Sequence, residues 1–117
     1  MAVLSAMAVN PERVKERFYT KEENKAGIYL MSFIVNGKET PVYVDNYFPY
    51  GCYGPVCNFS NDKNLWVRLL EKGWAKLNGT YARLIGGRTQ IVTEYLLGVA
   101  YRSFYHANSM KNTDKIW

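Results

Sequence analysis

The side chains able to do chemistry in this sequence are few: Cys52, Cys57, the single histidine His106, and the adjacent carboxylates Glu22 and Glu23. A structural zinc site takes four protein ligands, and two cysteines with one histidine leave the set short. A Cys–His dyad is a second chemistry open to such residues, because partners of that kind meet only in three dimensions. Both cysteines, however, lie in a stretch rich in Gly, Tyr and Pro, not at a helix start where the dipole lowers a thiol pKa. Two free thiols in a reducing compartment are the expectation, since nothing else argues for the oxidising setting that a local disulfide needs. Glu22 and Glu23 belong to the charged run Lys21 to Lys25 and read as a solvated loop. The pair Gly86-Gly87 lacks the longer glycine pattern and the Lys-Ser/Thr of a phosphate loop. By residue type alone, no catalytic constellation is present.

Composition bounds the setting. A chain of 117 residues is one domain's length. Apolar residues at 48% and charged residues at 21% exclude disordered and collagen-like classes. No apolar run approaches the roughly 18 residues of a membrane span. Met1–Val9 is apolar but has no basic start, so no signal peptide is expected, and the triplets Asn58-Phe-Ser and Asn78-Gly-Thr carry little weight as glycosylation sites. Fifteen basic against 10 acidic residues give a net charge of +5, yet they are scattered from Arg13 to Lys115 without a cluster or RNA-binding motif. The expectation is a cytoplasmic protein with neither nucleic acid nor a membrane span among its partners.

The elements that must position any site follow from hydrophobic spacing. Leu4, Met7 and Ala8 share one helical face, which predicts a short helix to Val9. Asn10-Pro11 supplies a cap and a first-turn proline for a second helix, expected to reach Phe18 and to bury Val14 and Phe18. Ile28–Val35 is bulky and apolar throughout, as a strand covered on both faces would be. Asn36-Gly37 is a strong type I′ hairpin signal. The return strand runs from Lys38 to Asp45, with Pro41 marking it as an edge or as a broken ladder. After a loop over 46–62, Asp62 can cap a helix whose stripe of Leu65, Trp66, Leu69, Leu70, Trp74 and Leu77 reads as core, stopping at Asn78-Gly79. A further helix is expected around Val92–Leu97, with the last dozen residues frayed.

Two blocks carry a resemblance. Leu65-Trp-Val-Arg-Leu-Leu-Glu-Lys-Gly-Trp-Ala-Lys-Leu-Asn-Gly-Thr-Tyr81, followed by Leu84-Ile-Gly-Gly87, closely resembles the calpain family pattern F-W-x-x-L-L-E-K-A-Y-A-K-x-N-G-S-Y with its later leucine and glycine pair. Gly27-Ile-Tyr with Val42-Tyr-Val-Asp-Asn-Tyr-Phe-Pro49 is similar to that family's hairpin ending in V-V-x-D-D-x-L-P. Leu4-Ser-Ala-Met-Ala-Val with Asn10-Pro-Glu-Arg-Val14 is similar to the helix that carries the family's nucleophile. The resemblance spans residues 3–98 and leaves 99–117 poorly matched.

It implies an α+β fold, a papain-like cysteine peptidase half-domain with helices packed on a β-hairpin, and residues 1–117 as a partial catalytic domain. The implied activity is that of a calcium-dependent cysteine endopeptidase acting on protein or peptide substrates, with a second catalytic subdomain as partner. The family's Gly-Asp-Cys-Trp sets its cysteine where Met1 stands, and its histidine and asparagine fall beyond the match. His106 lacks the family's Gly-His-Ala-Tyr context. The resemblance therefore places no catalytic residue in this sequence, and it sets one acidic calcium ligand of the family at Asn64, which offers a carbonyl oxygen but no charge, so no calcium ligand is secured. Gly86 and Gly87 match the pair whose backbone holds the extended substrate; a tight turn between helices is the other use of such a pair. The chain is expected to be proteolytically silent alone and poorly soluble, the face for the second subdomain being apolar. A non-catalytic interaction module built on the same half-domain is the alternative.

Overall fold

The computed structural model describes residues 2–51, 54–55, 65–84 and 88–101. Two short helices, α1 (Ala2–Ala8) and α2 (Pro11–Glu16), precede the hairpin strands β1 (Ile28–Val35) and β2 (Lys38–Asp45). The two-residue strands β3 (Tyr50–Gly51) and β4 (Gly54–Pro55) pair with each other, and then come α3 (Leu65–Asn78), a single 3₁₀ turn (Tyr81–Leu84) and α4 (Thr89–Leu97).

The hairpin forms as its turn residues dictate. Asn36 and Gly37 both take positive φ, 51° and 74°, and Val35 pairs with Lys38 across them. The register that follows sets Tyr29 opposite Val44 and Met31 opposite Val42, so these four side chains share one face with Phe33. All five are buried there, joined by Leu69 and Leu70 of α3, Leu4 and Met7 of α1, Val14 of α2 and Leu96 of α4. The other face of β1 is covered only in part: Ser32 is fully buried, Leu30 and Ile34 are half-buried, and Ile28 is 54% exposed. Both-sided cover, as expected from sequence, thus holds for the middle of the strand and fails at its start.

Pro41 sits opposite Ser32, whose N–H turns away from β2 and donates to the Arg17 carbonyl at 2.7 Å. In the antiparallel alternation this is a pair whose backbone groups point away from each other, so Pro41 removes no bond from the ladder. The same interaction corrects the end of α2. Asn10 caps that helix, its side chain accepting from the Glu12 N–H at 3.2 Å, but the helix ends at Glu16 rather than Phe18. Residues 17–20 instead run along the outer edge of β1. The Tyr19 N–H donates to the Leu30 carbonyl at 3.0 Å, the Leu30 N–H donates to Thr20 Oγ1 at 3.0 Å, and Phe18 bridges to Met31. Satisfying the outward amides of β1 outweighs another helical turn. Phe18 and Val14 are buried as expected.

Gly73 lets α3 lie close to the sheet, because a Cβ there would fall 2.6 Å from Met31 Sδ and 2.8 Å from Phe33 Cε2. α4 begins at Thr89, three residues before the expected start, and ends at Gly98 with φ 68°; its N–H donates to the Glu94 carbonyl at 2.8 Å. Within the α3 stripe, Leu69 and Leu70 are buried, whereas Leu65, Trp66, Trp74 and Leu77 are half-buried at its border.

Candidate functional site

The half-buried border of α3 leads to the site. Trp74 projects from α3 beside Phe33, with ring centroids 6.3 Å apart, and meets Tyr95 of α4 edge-on at 4.9 Å and 85°. Phe33 and Trp74 line a cavity of about 300 Å³ whose wall also includes Val3 and Leu4 of α1, Leu84 at the end of the 3₁₀ turn, and Arg88 before α4. Leu84 and Arg88 bracket the Gly86-Gly87 pair. Gly86 and Gly87 themselves lie outside the described residues, as do Met1, Cys52, Cys57, Asp62 and His106. What the structure brings together is therefore the start of α1 with both flanks of the glycine pair.

Polar contacts hold this wall in place. The Asn78 side-chain amide donates to the Trp74 carbonyl at 2.8 Å and so caps the end of α3; the nitrogen that glycosylation would modify is already engaged. Arg83 reaches back to the Asn78 carbonyl at 3.4 Å. In α4, Thr93 donates to the Thr89 carbonyl at 2.8 Å, while Arg88 precedes the helix in an extended conformation without a side-chain cap.

A second set of contacts ties α3 to the far end of the hairpin. Lys72 donates to Asp45 Oδ1 and to the Tyr47 carbonyl in short bonds, and to the Asp45 carbonyl at 3.3 Å. One turn on, Lys76 donates to the Tyr43 carbonyl at 2.7 Å. The Lys72 ammonium also lies 5.5 Å from the centre of the Phe48 ring. Asp45 Oδ1 accepts from the Tyr47 N–H at 2.8 Å. The Lys72 hydrogen bond, followed by that N–H, holds the Asp45 carboxyl below its ordinary value of 3.8. Sequence reading had no role for Lys72 or Lys76. The signal for them is their four-residue spacing within the E-K-G-W-A-K segment, which puts two ammonium groups on one helical face.

Chemically, the described residues supply walls rather than reacting groups. No three His, Cys, Asp or Glu side chains gather among the described residues. These side chains do not fit calcium, which takes six to eight oxygens. No helix among the described residues is long and apolar enough to cross a membrane.

Helices packed on one antiparallel hairpin, with a cleft wall between α1 and the segment before α4, define an α+β unit of the papain-like half-domain kind. The full sequence, residues 1–117, matches the profile described as calpain family cysteine protease. The calpain-type cysteine protease DEK1 of Arabidopsis thaliana is 41% identical over 101 residues, which cover 83% of this chain and 5% of that protein. The calpain-type cysteine protease ADL1 of Oryza sativa subsp. japonica is 42% identical over 101 residues, again 83% of this chain and 5% of that protein. Human calpain-8 is 36% identical over 93 residues, 76% of this chain and 13% of that protein. The chain belongs to the calpain family of cysteine proteases, a family in general calcium-dependent and acting on proteins. It spans only 5% to 13% of the length of these relatives.

Proposed function

We propose that this sequence supplies the first half of the catalytic domain of a calcium-dependent, calpain-type cysteine endopeptidase, and that this stretch alone cleaves nothing. One observation carries the reading: Val3 and Leu4, at the start of the helix that resembles the nucleophile's, line the same cavity as Leu84 and Arg88, which flank the glycine pair. The helix that resembles the nucleophile's and both flanks of the glycine pair then share one cleft wall. The backbone of an extended protein substrate lies along Gly86 and Gly87, where missing side chains permit close approach. In the complete site a cysteine thiolate attacks the peptide carbonyl, a histidine moves the proton to the leaving amine, and an asparagine orients the histidine. Those three groups belong to chain outside this sequence, the histidine and asparagine to a second catalytic subdomain that docks on this one. A cytoplasmic, reducing setting goes with this reading and with free thiols at Cys52 and Cys57.

Two assays test it. The purified 117-residue chain should leave fluorescent casein intact in calcium and reductant; cleavage blocked by a thiol alkylator would overturn the reading. Residues 3–98 grafted over the matching stretch of the rice relative, with that protein's own cysteine kept, should retain its proteolysis. A folded graft without cleavage would favour a non-catalytic interaction module instead.

A further inference from the structure

The cavity wall beside the glycine pair carries more positive than negative charge. Its charged residues are Arg83, Arg88 and one carboxylate, Glu71. Glu71 is itself engaged. Arg83 reaches back to the Asn78 carbonyl at 3.4 Å, at the end of α3 where the helix dipole favours a cation. Arg88 has no such task. It is exposed, its side chain does not cap α4, and no acidic residue stands in the first turn of that helix. Among the described residues no carboxylate forms an ion pair with it. A solvated arginine is ordinary on a surface, but this one follows directly on Gly86-Gly87 and lines the cavity.

We propose that Arg88 sets substrate choice, selecting peptides that carry an acidic side chain at one position beside the glycine pair. The inference rests on the proteolytic reading above and adds a substrate class to it. The guanidinium offers a carboxylate two parallel N–H bonds, a fit that a neutral amide side chain does not match. An extended peptide sends successive side chains to opposite sides. Only one residue near the pair can therefore turn its carboxylate to Arg88, and the preference is confined to a single position. The cation that could compete, Arg83, is held at the end of α3.

The test uses the graft of residues 3–98 in the rice relative, with peptides that differ by Glu or Gln at one position at a time. At a single position Glu should raise kcat/KM about five-fold over Gln, the upper range for an ion pair open to water. Arg88→Ala should bring that ratio within about two-fold of one, Arg88→Lys should keep part of it, and Arg88→Glu should turn the preference to lysine. The ratio is read within each variant, so a change in overall rate does not enter. The unmodified graft supplies a check without a variant: its Glu preference should fall as salt rises from about 0.05 M to about 0.5 M. An active graft with no Glu preference, a preference spread evenly over all positions, or one unmoved in Arg88→Ala would overturn the role of Arg88 alone. A folded graft that cleaves none of the peptides would overturn the proteolytic reading and this inference with it.

Discussion

Lys72 does the most distinct work of any single side chain here. It is largely buried, yet its three acceptors, the Asp45 carboxylate and the Asp45 and Tyr47 carbonyls, lie 25 to 27 residues away in sequence. Replacing it with methionine should keep the packing of its stem and cost about 1 kcal/mol at neutral pH, as for a hydrogen-bonded pair partly open to water. The pH dependence has a definite sign. Asp45 has its carboxyl held below 3.8 in the folded chain, so the pair stabilises above that value and loses its contribution as pH falls through the depressed one. The difference between wild type and Lys72→Met should therefore shrink in urea melts as the pH is lowered past 3.8; a gap that widened would contradict the pair. Tyr29 gives the opposite kind of test. Because its hydroxyl is buried without a partner among the described residues, Tyr29→Phe should stabilise the chain by about 1 kcal/mol, and a loss of that size would reveal a bond not seen among them. Neither role was legible in the sequence, since a lysine in a charged helix face and a tyrosine in an apolar strand are ordinary until their distant neighbours are known.

Among the elements, the hairpin was the most legible, because Asn36-Gly37 requires positive φ at both positions and such a two-residue turn sets the register of the strands that it joins; which face of β1 is the more buried was not legible, since the strand is apolar throughout. α3 was legible for the same local reason, its stripe repeating at helical spacing. The end of α2 was not, since nothing local to Arg17 or Phe18 announces that Leu30 and Ser32 will claim their backbone. Gly73 is the clearest conflict between local and tertiary preference. At an exposed helix position Gly→Ala gains about 1 kcal/mol. Here the added carbon would press on Met31 and Phe33, and overpacking costs about 1–3 kcal/mol. Gly73→Ala should thus lower the melting temperature although the family pattern carries alanine there; a rise would mean that Met31 gives way freely. Gly98→Ala faces two penalties, a left-handed φ of 68° and a Cβ 2.7 Å from Ile34 Cδ1. It should cost about 2 kcal/mol and raise amide exchange in α4 ahead of the hairpin.

At the scale of the whole molecule, legibility came from the blocks at Leu65–Tyr81 and Val42–Pro49, which point to the family without revealing any geometry. The site was half readable: the glycine pair was named from resemblance, while the Phe33 and Trp74 lining and the convergence of α1 with Leu84 and Arg88 needed the fold. Val9, Ile91 and Val99 are 85%, 36% and 47% exposed. Mild detergent or arginine should therefore improve recovery of the chain more than added salt does, as light scattering would report. The strap of residues 17–20 along β1 bears on how copies of this chain can meet. It occupies one side of the hairpin, and among the described residues no strand pairs with the outer side of β2. On that open side Pro41 offers an incoming strand no donor, and the adjoining Lys38 and Glu39 are charged and exposed. Strand-by-strand growth into fibrils is therefore disfavoured from both margins of this hairpin.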